Sequence, residues 1–145
     1  MKDGFLKVAA VTPKIKVADP EYNAKSIVEK MLEAMEQKAK IIVFPELCIS
    51  GYTCQDLFLQ ELLLRKSFAQ LSVIAEATKG WDGIVFVGLP VEKNHKLYNA
   101  VAAISGGKVL AFIPKKNLPN FAAFAEARYF APGQDAADTI LWQGE

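Results

Sequence analysis

The sequence is poor in every residue that builds a metal centre or a disulfide scaffold: 145 residues hold two cysteines and one histidine. Cys48 and Cys54, six apart and with only His95 far downstream, make neither a zinc ligand set nor a disulfide framework, so both read as reduced thiols and no metal site is expected. No apolar run approaches the ~20 residues that span a bilayer. Charge of one sign is also lacking, with 17 basic against 16 acidic residues and a net charge of +1. The charges are interspersed, which offers no basic block to nucleic acid or anionic lipid. The opening MKDGFLKVAAVTPK breaks its apolar stretch at Lys7 and meets Pro13 without a small-residue cleavage pattern; it reads as a first strand, not a signal peptide. A cytoplasmic setting follows. What is present is a 52% hydrophobic fraction, enough for one compact α/β unit that buries roughly two-thirds of its unfolded surface.

The chain has no internal repeat, linker or low-complexity segment. FLKVAAVT (5–12) reads as a buried strand, and ADPEYNAKSIVEKMLEAMEQKAK as a helix with Asp19 as N-cap and Pro20 in the first turn. Ala24, Ile27, Val28, Met31, Leu32 and Met35 form its apolar side at helical spacing. IIVFP (41–45) is a strand too apolar to have a wet face. A second helical pattern then runs through Leu62, Leu63, Phe68, Leu71 and Ile74 to Gly80. GIVFVGLP (83–90), LYNAVAAIS (97–105) and KVLAFIP (108–114) read as three strands without helices between them, the last two joined by Gly106-Gly107. Crossovers followed by hairpins give a mixed sheet in an α/β fold.

VFPELCISGY (43–52) places one carboxylate, Glu46, just past the end of a central strand, where open α/β sheets put their ligand sites. AFIPKKNLPN places Lys115 and Lys116 past another strand end and a proline. A carboxylate and an ammonium over one sheet edge can serve as general base and oxyanion stabiliser for amide hydrolysis by a thiol. Spacing alone favours the plainer reading, a capping carboxylate and two solvated loop lysines.

Three motifs in this order and spacing, FPELCISGY, IPKKNLPNF and EARYFAPG, resemble the nitrilase superfamily of carbon-nitrogen hydrolases. GYTCQDLF and the LPNF to RYFAPG stretch further resemble the glutaminase domains of glutamine-dependent NAD synthetases, over nearly the whole chain. The resemblance implies a nitrilase-like α-β-β-α sandwich with mixed sheets, of which residues 1–145 are the N-terminal portion. It implies Glu46 as general base, Lys115 as catalytic lysine and Glu126 as the supporting glutamate that holds it. Tyr52, Phe121 and Phe124 fall at substrate-pocket positions, Phe121 where the family commonly has tyrosine. The stretch FAAFAEA, with Ala122, Ala123, Ala125 and Ala127, replaces larger or polar family residues.

The family's nucleophile is a cysteine downstream of the lysine motif. Cys48 sits two residues from Glu46, where an extended chain holds the Cα atoms about 6.6 Å apart, too fixed to converge on one carbon. Cys54 is freer, but reads as buried filler. The chain is therefore expected to be part of a longer protein and inactive alone. Implied partners are glutamine, a C-terminal synthetase domain that uses ATP and magnesium to amidate deamido-NAD, and further copies in a homo-oligomer. Another amidase or carbamoylase of the superfamily, or a non-catalytic α/β module, are the alternatives. His95, in a polar hairpin, reads as a surface residue; Trp81, Trp142, Phe58, Phe86 and Phe112 read as packing residues.

Overall fold

A computed structural model describes residues 4–122, 124–135 and 137–140; Ala123 and Trp142 lie outside the described residues. One five-stranded mixed sheet runs in the order β1-β2-β3-β4-β5. Strands β1 (Val8–Ala10), β2 (Ile41–Val43) and β3 (Ile84–Lys93) are parallel, while β4 (Lys96–Ser105) and β5 (Lys108–Pro114) continue antiparallel. Helices α1 (Pro20–Glu36) and α2 (Glu61–Glu76) make the two crossovers. The Asp19 carboxylate accepts the Tyr22 N–H at 3.1 Å and Pro20 opens the first turn, so α1 starts where its cap residues direct. Gly106 and Gly107, with φ of 56° and 84°, make the tight β4–β5 turn.

Both crossovers step in the same direction along the sheet. With right-handed connections this puts both helices on one face. Ile27 and Met31 of α1 and Leu71 and Ile74 of α2 accordingly share one buried cluster with Ile42, Val85, Val87, Leu89, Ala102 and Ile104. Among the described residues the opposite face carries no α-helix, and its Val8, Val43 and Ile113 are 62%, 44% and 48% exposed. The expectation that β2 has no wet face is thereby corrected: Ile42 is fully buried and Val43 is not. β1 and β2 are also shorter than read, three residues each, because β1 pairs only with β2 and both end where that ladder ends. Leu32, expected on the inner side of α1, is exposed, since one residue step turns it about 100° off the Ala24, Ile27, Met31, Ala34 stripe. Leu62 is likewise exposed, beside the inward Leu63.

Ser67 of α2 is fully buried, and its hydroxyl has no hydrogen-bond partner among the described residues. Ser67→Ala removes an unsatisfied polar atom without opening a large cavity. It is expected to raise stability by about 1 kcal/mol, seen as a higher urea midpoint at unchanged m-value.

Candidate active site

Past β2 the Phe44 N–H donates to Phe86 O at 2.9 Å, and the chain turns sharply after Pro45. Leu47, buried and in the left-handed region at φ 51°, makes the turn. Such a conformation costs a leucine on the order of 1–2 kcal/mol and persists because its surroundings hold it. Gly88 of β3 is what lets the turn seat: a Cβ there would lie 2.8 Å from Pro45 O and 2.9 Å from Glu46 C. The Ile49 N–H donates to Gly88 O at 3.2 Å. Buried Asn23 of α1 secures the far side, its amide donating to Ile49 O at 2.9 Å and to Lys16 O at 2.7 Å. Gly51, at φ 94°, then bends the chain toward Tyr52.

β5 runs in the same direction as β2, because two antiparallel steps separate it from β3. The carboxyl ends of both strands therefore share one edge. There the Lys115 N–H donates to Asn99 O at 2.8 Å, and Lys115 O accepts from the Gly133 N–H at 2.9 Å. With its backbone tied on both sides, Lys115 points into the edge. Lys116 points away and pairs with Asp135 at the surface.

The Lys115 ammonium lies 2.6 Å from Glu46 Oε1 and 3.0 Å from Glu126 Oε1. Tyr52 donates its hydroxyl to Glu126 Oε1 at 2.7 Å. The Asn99 amide donates to Glu46 Oε1 and, at 3.4 Å, to Glu126 Oε2. Glu126 is 4% exposed and both its oxygens are occupied, whereas the Glu46 side chain is 40% exposed. Among the described residues no hydrogen bond reaches Glu46 Oε2. Burial pulls the Lys115 pKa down, but the hydrogen bonds and charges of Glu46 and Glu126 outweigh it, so the ammonium is held above the usual lysine value. Burial, then the Glu126 hydrogen bond, pushes the Tyr52 hydroxyl upward. An ammonium has three donors and two are used, which leaves one N–H for a further acceptor.

Glu46, Lys115, Tyr52 and Glu126 thus meet, with Tyr52 reaching the cluster through Glu126. Glu126 sits in the one-turn η helix Glu126–Arg128, and Arg128 pairs with Asp56, so the glutamate is not consumed in a local ion pair. The Phe124 ring packs edge-on against Tyr52 at 6.4 Å between centroids, and Phe121 lies 5.6 Å beyond it. Phe121 and Phe124 are 68% and 42% exposed. They form an aromatic rim. A cavity of about 40 Å³ adjoins Tyr52 and Glu126, room for a water. A larger groove of about 840 Å³, lined by Val91, Tyr98 and Phe112, touches no residue of the cluster. Sequence reasoning missed Asn99 and Gly88. The available signal was an amide inside the otherwise apolar LYNAVAAI and a glycine inside IVFVGLP. His95 sits in the left-handed β3–β4 turn with Asn94.

Both cysteines are buried. Cys48 Sγ lies 3.6 Å from Gly88 O, and burial pushes its thiol up to about 12 from 9.0. Burial raises Cys54 as well. Neither is poised as a thiolate. A thiol that binds its proton more tightly when folded contributes stability in full below pH 9, and that contribution is lost as pH rises toward 12. Lys115 and Tyr52 act with the same sign. Urea melts of Cys48→Ala across this interval should fall less steeply than wild type, by at most about 1.4 kcal/mol per pH unit.

The carbon-nitrogen hydrolase family profile matches residues 7–143. The chain is 36% identical over 137 residues to the glutamine-dependent NAD(+) synthetase of Mycobacterium leprae (strain TN), covering 94% of this chain and 20% of that protein. It is 41% identical over 119 residues to the enzyme of the same name from Aquifex aeolicus (strain VF5), covering 82% and 21%. The crystal structure of a glutamine-dependent NAD(+) synthetase from Cytophaga hutchinsonii superposes with a TM-score of 0.89 at 29% identity, over 95% of this chain and 24% of that one. The chain spans about a fifth of the length of the curated relatives it matches. The mixed sheet with its one-sided helices is the nitrilase fold in part. Matched over nearly its whole length, the chain belongs to the carbon-nitrogen hydrolase family.

Proposed function

We propose that residues 1–145 are the N-terminal portion of a glutaminase domain that releases ammonia for a synthetase domain elsewhere in the same protein. The observation that carries this is Lys115 bracketed by Glu46 at 2.6 Å and Glu126 at 3.0 Å, in a chain related to glutamine-dependent NAD synthetases. In this reading the nucleophile is a cysteine outside these residues, since Cys48 and Cys54 are buried with raised pKa values. Glu46, through its free Oε2, takes the thiol proton as sulfur bonds to the amide carbon. The oxyanion that develops accepts the third N–H of Lys115. Glu46 returns the proton to nitrogen, the C–N bond breaks, and ammonia leaves a thioester. Glu46 then takes a proton from water, which attacks the thioester, and glutamate and thiol are restored. Glu126 holds Lys115, and Tyr52 holds Glu126. ATP and magnesium belong to the synthetase domain that amidates deamido-NAD and enter no step here. The bare sheet face with Val8, Val43 and Ile113 suits a second sheet of the sandwich, and homo-oligomerisation and a cytoplasmic setting complete the reading.

A second reading, a less polar amide as substrate, is favoured by the rim. Phe121, Ala122, Phe124, Ala125 and Ala127 are all exposed and offer no side-chain polar contact to an amino-acid head group. A chimera tests both. The 137 residues of this chain that align with the Mycobacterium leprae enzyme replace the matching segment of that enzyme, and ammonia release is measured with glutamine and with a small aliphatic amide. Glutamine is expected to be the better substrate. Preference for the aliphatic amide would establish the second reading, and a folded chimera inert to both would leave only a non-catalytic module.

A further inference from the structure

Asn99 lies in the middle of β4, paired across the strands with Pro90 and 3% exposed. Its side-chain NH₂ has two donors, and each goes to a different carboxylate, Glu46 Oε1 and Glu126 Oε2. Glu46 and Glu126 are thus bridged twice, once by the Lys115 ammonium and once by a neutral amide. Two carboxylates in one site repel each other. The ammonium offsets that repulsion only while it stays docked between them.

We propose that Asn99 is a positioning residue that keeps Glu46 beside Glu126 when Lys115 turns an N–H toward an oxyanion. This rests on Glu46 and Lys115 being the base and the oxyanion partner. A strand interior suits the task because the amide is held by backbone on both sides and cannot follow a carboxylate outward. A neutral donor suits it because it neither takes up nor supplies a proton in competition with Glu46. Without Asn99 the half-exposed Glu46 swings to solvent, and Lys115 keeps Glu126 alone.

The test is the ¹³Cε titration of Lys115 by NMR in wild type and in Asn99→Leu, which has similar volume and no donor. Among the described residues the charged or titratable groups facing Lys115 are Glu46, Glu126 and, behind Glu126, Tyr52. The Lys115 midpoint is expected to fall by about one unit in the variant, through loss of one carboxylate. An unchanged or raised midpoint overturns the proposal. Should Asn99→Leu not fold, Glu46→Ala in the half-exposed turn supplies the reciprocal measurement. One of the two Asn99 side-chain protons is expected to lose protection from exchange while the Ala100 amide keeps its own. Unaltered protection of both Asn99 protons overturns the proposal. These readouts need no turnover, so they separate the two failures. A Glu46→Gln enzyme that keeps its rate would remove the base role and leave the clamp, whereas an unmoved Lys115 would remove the clamp and leave the base.

Discussion

Glu46→Gln in the chimeric enzyme is expected to lower glutamine turnover by about 10³-fold or more, with kcat falling and KM little changed. Glutamine is nearly the shape of glutamate, and its carbonyl oxygen can still accept from Asn99 and from Lys115. What it cannot do is take a proton from a thiol or from water. Both halves of the reaction depend on that transfer, so both acylation and deacylation fail. A mass spectrum of the Glu46→Gln chimera mixed with glutamine should show no acyl adduct. A variant that accumulates thioester would place Glu46 in deacylation only.

Gly88→Ala is expected to be strongly destabilising and to disturb the site directly. The added carbon would meet backbone from three successive residues, Pro45 O, Glu46 C and Leu47 N. None of these can rotate aside as a side-chain tip can. Either β3 or the Glu46 turn must move, at a cost of about 3 kcal/mol. The Glu46–Lys115 contact is expected to be lost with it. Gly80→Ala provides the scale: there the Cβ meets nothing within 4 Å, and only the left-handed φ of 73° is penalised, by about 1 kcal/mol. Denaturant melts of the two variants should differ accordingly. Equal midpoints would mean that the turn is looser than its packing against Gly88 implies.

Much of this site could be read from local cues. Asp19 and Pro20 start α1, and Gly106-Gly107 turns β4 into β5. Pro45 and Pro114 mark the two strand ends. The position after Pro114 and the family motif both favour Lys115 over Lys116, and strand alternation gives the choice a cause: Ile113 and Lys115 lie on the sheet face that carries Asn99, and Lys116 does not. What could not be read locally depends on strand order. That Val43 is exposed follows only once both crossovers are known to step the same way. The Asn99–Glu46 hydrogen bond joins residues 53 apart in sequence, and nothing within LYNAVAAI separates an amide aimed at a carboxylate from one at a hairpin edge. The Tyr52 contact with Glu126 spans 74 residues and is equally nonlocal. The resemblance implies roles for Tyr52 and Glu126 in one pocket, and the fold joins them by a hydrogen bond.

The two adjacent lysines allow the most direct test of the site as a whole. Ammonia release from glutamine is measured in the chimera carrying Lys115→Ala and, separately, Lys116→Ala. Lys115→Ala removes the ammonium from between two carboxylates and the donor for the oxyanion, and is expected to lower the rate by about 10³-fold or more. Lys116→Ala removes a surface pair with Asp135, and is expected to leave the rate within about twofold of the parent. Full activity in Lys115→Ala, or a collapse in Lys116→Ala with Lys115→Ala active, would contradict the assignment of this edge of the sheet as the amide-hydrolysing site.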